Sequence, residues 1–221
     1  MSINIAVLAS GRGSNLQAIL DAISTGNLDA KVQIVLVNVP GAGAIDIAAK
    51  HGVATAVVPN AGLTRKEHEE KVNAELKKHD LDFIVLAGYM RVLSSGFLSN
   101  FKDPRGFFKV INIHPSLLPA FPGTRGYEEA FEYGVKVAGV TVHLVDEKVD
   151  HGPILAQATF SRTEDDTIES FKARGLRIEH ELYPQVLQNI ARDGVTYFKR
   201  LKDDAVQAEN NQGTDRETAR R

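Results

Sequence analysis

The residues with the clearest chemical potential are Asn112-Ile113-His114, at the end of a short apolar run that begins at Val110. Side chains alternate along a strand, so Asn112 and His114 project to one side. Two polar groups on one face of an apolar strand are costly to bury unless they meet a partner or a ligand. An imidazole near its ordinary pKa of about 6.5 can exchange a proton at neutral pH, and a neighbouring carboxamide can donate to a developing oxyanion. A carboxylate beside that imidazole would hold it protonated. Asp150 is the candidate, in Val145-Asp-Glu-Lys-Val-Asp-His-Gly-Pro153, a run whose Asp and Gly-Pro also suit a plain hairpin loop. The other six histidines (His51, His68, His79, His143, His151 and His180) have no spacing that singles them out. Neither they nor the carboxylates form a metal-ligand pattern, so no residue is assigned to a metal.

A second kind of chemistry is written at Ser10-Gly-Arg-Gly-Ser-Asn15. Glycines let the chain turn tightly, and free amides at a helix N-terminus attract phosphate. The same residues also fit a tight turn with Ser14 or Asn15 as N-cap. A dinucleotide fingerprint would need a glycine where Leu16 stands and a carboxylate at the end of the second strand; VLVNVPGAG has none. A nicotinamide dehydrogenase is disfavoured, and a P-loop lacks its Gly-Lys-Ser/Thr ending.

The elements that must position these groups alternate. Ile3 to Leu8 is short, continuous and apolar, as expected of a strand buried on both faces. Leu16, Ile19, Leu20 and Ile23 then share one helical face. Strand patterns follow at Val32 to Val37, Ala54 to Val58 and Phe83 to Ala87, separated by helices around Ile45 to His51 and from about Thr64 to Lys78. This order predicts a Rossmann-like α/β fold: a mostly parallel sheet with helices on both faces. Val137 to Val145 and Ile154 to Phe160 stand only about nine residues apart, too close for a crossover helix, so they are expected to pair antiparallel. A long helix from about Thr167 to Arg192 would pack back over the sheet.

One domain is expected over 1–201, with a phosphate-binding half to about residue 100 and a catalytic half from about 101. Residues 202–221 have almost no large apolar side chains and are expected to be a disordered tail. The 221 residues are 43% hydrophobic and 24% charged, with 26 Lys plus Arg against 28 Asp plus Glu. A net charge of −2 leaves no electrostatic footprint for nucleic acid or an anionic membrane. Without cysteine, disulfides and thiolate nucleophiles are excluded. No apolar run nears the roughly 18 to 20 residues of a membrane span, and the N-terminus lacks a signal-peptide pattern. A cytoplasmic protein is expected.

Ser-Gly-x-Gly-Ser-Asn at 10–15, Ala-Gly-Tyr-Met-Arg-Val-Leu at 87–93, Asn-Ile-His-Pro-Ser-Leu-Leu-Pro at 112–119 and Asp-x-Gly-Pro at 150–153 occur in that order. In this the chain resembles the folate-dependent formyltransferase superfamily and, within it, the glycinamide ribonucleotide transformylases, over about residues 3 to 195. The resemblance implies an enzyme of purine biosynthesis that transfers the formyl group of 10-formyltetrahydrofolate, a consumed co-substrate, to the glycyl amine of the ribonucleotide, without a metal. It implies Asn112, His114 and Asp150 as the catalytic trio, and Gly13, Ser14 and Asn15 as phosphate contacts. Glu179 matches a carboxylate on the amine-substrate side. Folate contacts are implied for Met90, Arg91, Val92 and Leu93, for Asn112, and for the loop of Asp146, Glu147, Lys148, Val149 and Asp150, with Arg65 near the glutamate tail. A cis Leu118-Pro119 peptide is implied as well. The departure is Thr124-Arg-Gly-Tyr127, where members vary. Partners are then small molecules, in a monomer or homodimer. A methionyl-tRNA formyltransferase would carry a further C-terminal domain and basic surface, and a deformylase an N-terminal regulatory domain. A nucleotide-binding module would explain the glycine turn but not the trio.

Overall fold

The computed structural model describes residues 2–194 and 196–198. In chain order the elements are β1 (Ile3–Ala9), α1 (Ser14–Ser24), β2 (Ala30–Val37), α2 (Gly43–Lys50), β3 (Thr55–Val57), α3 (Arg65–Leu76), β4 (Phe83–Leu86), α4 (Ser95–Ser99), β5 (Val110–His114), α5 (Gly126–Tyr133), β6 (Val137–Leu144), β7 (Ile154–Ser161) and α6 (Ile168–Asp193). The seven strands lie in the order β3-β2-β1-β4-β5-β6-β7. Pairing is parallel from β3 across to β5, then antiparallel for β5–β6 and β6–β7.

Strand alternation divides the core into two layers. Ile5 and Val7 of β1 pack with Leu16, Ile19 and Leu20 of α1, Ala44 and Ala48 of α2, and the apolar stripe of α6. Ala6 and Leu8 point the other way, to Val72 and Leu76 of α3 and Phe97 and Leu98 of α4. Both faces of the parallel strands are thus covered, which is why their sequences are continuously apolar. Among the described residues no helix is long and apolar enough to cross a membrane.

Chain direction across the sheet reverses between β1 and β4, and the loops leaving their carboxyl ends part to form the crevice that open α/β sheets use for ligands. Tyr183 is fully buried in α6; its hydroxyl lies 3.1 Å from the Leu86 carbonyl and 3.0 Å from that of Ile111, fastening α6 to β4 and β5.

Two short helices go beyond the sequence reading. α4 has only five residues, with Ser94 as N-cap. α5 starts at Gly126 without a side-chain cap, so the usual start signal is missing; Glu128 and Glu129 in its first turn and left-handed Gly134 at its end were the available cues. The Thr124–Tyr127 stretch therefore runs into a helix. The proposed tail, 202–221, lies outside the described residues.

Candidate active site

The turn after β1 is built by its backbone. Gly13 is the N-cap of α1 in the left-handed region, at φ 83°, and no side chain caps the helix. A Cβ on Gly13 would stand 2.9 Å from the Ala44 Cα, so glycine also lets α2 approach. Neither Ser14 nor Asn15 is the N-cap, as the turn reading had allowed; both lie inside the first turn of α1. The first amides of a helix have no partner four residues back, and here no side chain has taken their place. They are available to an anion.

His114 ends β5, and 2% of its surface is exposed. Its Nε2 lies 2.8 Å from the Phe121 carbonyl, and its Nδ1 is 3.3 Å from Asp150 Oδ2. Both ring nitrogens therefore face an oxygen atom. The same Oδ2 accepts the Gly123 amide at 2.7 Å. Phe121 (φ 51°) and Asp150 (φ 53°) are the two non-glycine residues at positive φ among those described. Each such backbone costs about 1–3 kcal/mol and persists only where its surroundings enforce it. The strain sits on the two groups that bracket His114. Loop geometry comes from Thr141, directly opposite His114 on β6, whose hydroxyl donates to the Ser116 carbonyl (2.7 Å) and accepts the Leu118 amide (3.0 Å). The Leu118-Pro119 peptide in this loop is cis.

Asn112 faces His143, its antiparallel partner on β6, with Nδ2 3.3 Å from His143 Nε2. His143 Nδ1 lies 2.9 Å from the Leu144 carbonyl and must donate there. Burial pushes the His143 pKa below the ordinary imidazole value, so the ring is neutral and its Nε2 is an acceptor. That assigns the Asn112 Nδ2 as donor and fixes the carboxamide's orientation. Asp150 Oδ1 stands 3.7 Å from the same Nε2. Spacing alone did not single out His143. The cue was the one that marked Asn112 and His114: Thr141 and His143 are polar residues at alternate positions of an apolar strand.

Glu179 on α6 is buried, with Tyr127 donating its hydroxyl to Oε1 (2.6 Å) and Asn15 its Nδ2 to Oε2 (2.7 Å). Desolvation raises the carboxyl pKa above its usual range, while these two hydrogen bonds pull it back towards the ionised form.

One cavity of about 520 Å³ collects nearly all of these groups. Gly13, Ser14 and Asn15 line it, with Met90, Arg91, Val92 and Leu93 after β4, Asn112 and His114 on β5, Asp146 to Asp150 after β6, and Glu179. Met90 and Val92 leave 67% and 56% of their surfaces exposed, an apolar lip beside the polar floor. Arg65 is not brought in. It lines a separate hollow against α3, with its Nε 3.4 Å from Glu69 Oε1, because α3 packs on the opposite face of the sheet from α1 and α6. The cavity can hold an anion at the turn, donate to a developing oxyanion from Asn112, and move a proton through an imidazole beside a carboxylate.

Fold and cavity together define an α/β group-transferring enzyme of the formyl transferase family: the model described as Formyl transferase matches residues 3–187, and the chain belongs to that family. Within it, the chain groups with the phosphoribosylglycinamide formyltransferases. It is 41% identical over 186 residues to the protein of that name from Bacillus subtilis (strain 168), spanning 84% of this chain and 93% of the relative. The Escherichia coli (strain K12) protein of that name is 37% identical over 185 residues, 83% of this chain and 85% of that one. Glycinamide ribonucleotide transformylase 1 from Symbiobacterium toebii superposes with a TM-score of 0.81 at 40% identity, covering 86% of this chain and 88% of the other.

Proposed function

We propose that this protein transfers the formyl group of 10-formyltetrahydrofolate to the glycyl amine of 5′-phosphoribosylglycinamide. The observation that carries the reading is the meeting of an uncapped helix N-terminus with Asn112, His114 and Asp150 in one cavity, in a chain 41% identical to a phosphoribosylglycinamide formyltransferase. The substrate phosphate rests on the amides at Gly13, Ser14 and Asn15, and Glu179 faces the sugar and amine. The pterin lies between Met90–Leu93 and the 146–150 loop. Arg65, in its own hollow, meets only the glutamate end of a folate that extends out of the cavity. Partners are small molecules.

The amine attacks the formyl carbon; a C–N bond forms and the carbonyl oxygen becomes an oxyanion. The second Nδ2 hydrogen of Asn112 donates to it, the first being held by His143. His114 donates from Nε2, exchanging the neutral Phe121 carbonyl for a charged acceptor. The departing folate nitrogen takes a proton from His114, and the proton given up by the attacking nitrogen restores the imidazole, so none is gained or lost. His114 serves as the acid, and Asp150 stabilises its protonated form. Breaking the second C–N bond releases tetrahydrofolate and formylated ribonucleotide.

The test is an end-point assay of formyl transfer to the ribonucleotide, with methionyl-tRNA and water as competing acceptors. Transfer to the ribonucleotide is expected. Preferential formylation of methionyl-tRNA, or hydrolysis alone, would overturn the reading.

A further inference from the structure

The Thr124–Tyr127 stretch has no part in the mechanism above, yet it delivers one side chain to the cavity floor. Tyr127, in the first turn of α5, is 7% exposed, and its hydroxyl donates to Glu179 Oε1 at 2.6 Å. Asn15 holds the other oxygen from α1. Among the described residues no lysine, arginine or histidine pairs with this carboxylate; its charge is met by one hydroxyl and one amide. A carboxylate oxygen has two acceptor positions, so each keeps one after these bonds are made.

Two further features fix the Tyr127 ring. Gly175, one turn before Glu179 on α6, is where the ring packs, and a Cβ there would lie inside the ring's van der Waals surface. Phe171, a turn earlier, meets Tyr127 edge-on with centroids 6.3 Å apart. The hydroxyl is therefore aimed by packing.

We infer that Tyr127 is a positioning residue for the amine substrate: with Asn15 it clamps the Glu179 carboxylate so that its remaining acceptor positions meet hydrogen-bond donors on the phosphoribosyl amine. The inference deepens the proposed function and rests on it. Because Asn15 follows the phosphate turn directly, the clamp ties the carboxylate to the same helix that receives the phosphate. Loss of the Tyr127 hydroxyl should weaken the ribonucleotide selectively. The formyl donor lies against other segments and is untouched.

Tyr127→Phe removes only the hydroxyl. In steady-state kinetics its KM for the ribonucleotide should rise about tenfold, the scale of a lost hydrogen bond to a charged group, with the formyl-folate KM within about twofold and kcat reduced far less. Gly175→Ala, which displaces the ring but keeps the hydroxyl, should give the same selective rise. Calorimetric titration with the ribonucleotide alone should show a matching loss of affinity in both variants. An unchanged ribonucleotide KM and affinity in Tyr127→Phe, or equal weakening of both substrates, overturns the inference while leaving the proposed function intact. A wild-type protein that does not bind the ribonucleotide at all overturns both.

Discussion

The turn after β1 and the strand pair β5–β6 serve the same cavity by opposite means. At the turn, the proposed function would reside in main-chain amides, with side chains mainly staying out of the way: Gly13 supplies the left-handed backbone and the room for Ala44. At β5–β6, the proposed function would reside in side chains, and the main chain is bent around them, with Phe121 and Asp150 both held at positive φ beside His114. Binding an anion needs many modest donors in a fixed array, which a helix end supplies from any sequence that turns correctly. Moving a proton needs a particular pKa and a particular partner, which only side chains provide. The two regions should therefore fail differently: side-chain deletions at β5–β6 should lower kcat, and backbone changes at the turn should raise KM.

The contrast is sharpest at the proposed catalytic trio. Asn112→Ala should lower kcat about 10² to 10³-fold, as loss of one oxyanion donor does. Asp150→Asn, which keeps size but deletes charge, should lower it about 10²-fold or more with little change in either KM. His114→Ala combined with Asp150→Asn should fall well short of the product of the single effects, since the residues act as a unit. Full additivity in steady-state kinetics would mean that Asp150 works apart from His114.

His143→Ala removes what orients Asn112 but no group that touches the oxyanion, so kcat should fall only about tenfold, the scale of one modest hydrogen bond. The sign of its pH response follows from its lowered pKa. Protonation would turn Nε2 from acceptor to donor and expel the Asn112 amide, and burial delays that step to below the ordinary value of about 6.5. His143 should stay neutral by NMR titration throughout the neutral range.

At the turn, Gly13→Ala imposes φ 83° on a residue with a Cβ and crowds Ala44. It should cost about 1–3 kcal/mol of stability and raise the ribonucleotide KM, with kcat nearly preserved. Ser14→Ala, which leaves the amides in place, should raise that KM only a few-fold. A large kcat effect from either would break the comparison.

The smallest effect is expected in stability. Glu179 has a raised pKa, so the folded chain holds its proton more tightly than the unfolded chain and the ionised group opposes folding. That penalty is absent below the unfolded value of about 4.3 and grows as pH rises towards the folded value. Glu179→Gln should therefore raise Tm by about 2–4 °C per kcal/mol relieved at neutral pH, and by nothing under acidic conditions, while weakening ribonucleotide binding. Thermal melts at pH 4 and pH 7 check the sign.

The parallel strands, the glycine turn, the antiparallel β6–β7 pair and the Asn112–His114 alternation were all legible along the chain, because each is a short-range pattern of apolarity, glycine or spacing. α5 was not, since it begins on glycine without a cap. For His143 the alternation with Thr141 on an apolar strand was a legible cue, but its partner was not: it stands opposite Asn112 in an antiparallel register, and the spacing of 31 residues between them carries no local sign of that.

The sequence by itself determined which segments are strands, where the backbone can turn tightly, and which polar residues would be expensive to bury without a purpose. These follow from nearest neighbours and from the periods of helix and strand. Tertiary structure alone decided the other partners: that Phe121 lends a carbonyl to His114, that His143 turns Asn112, and that Tyr127 and Asn15 converge on Glu179 from 52 and 164 residues away. Each of those contacts depends on strand order and helix packing, which collapse onto a common core sets and no local run of residues encodes.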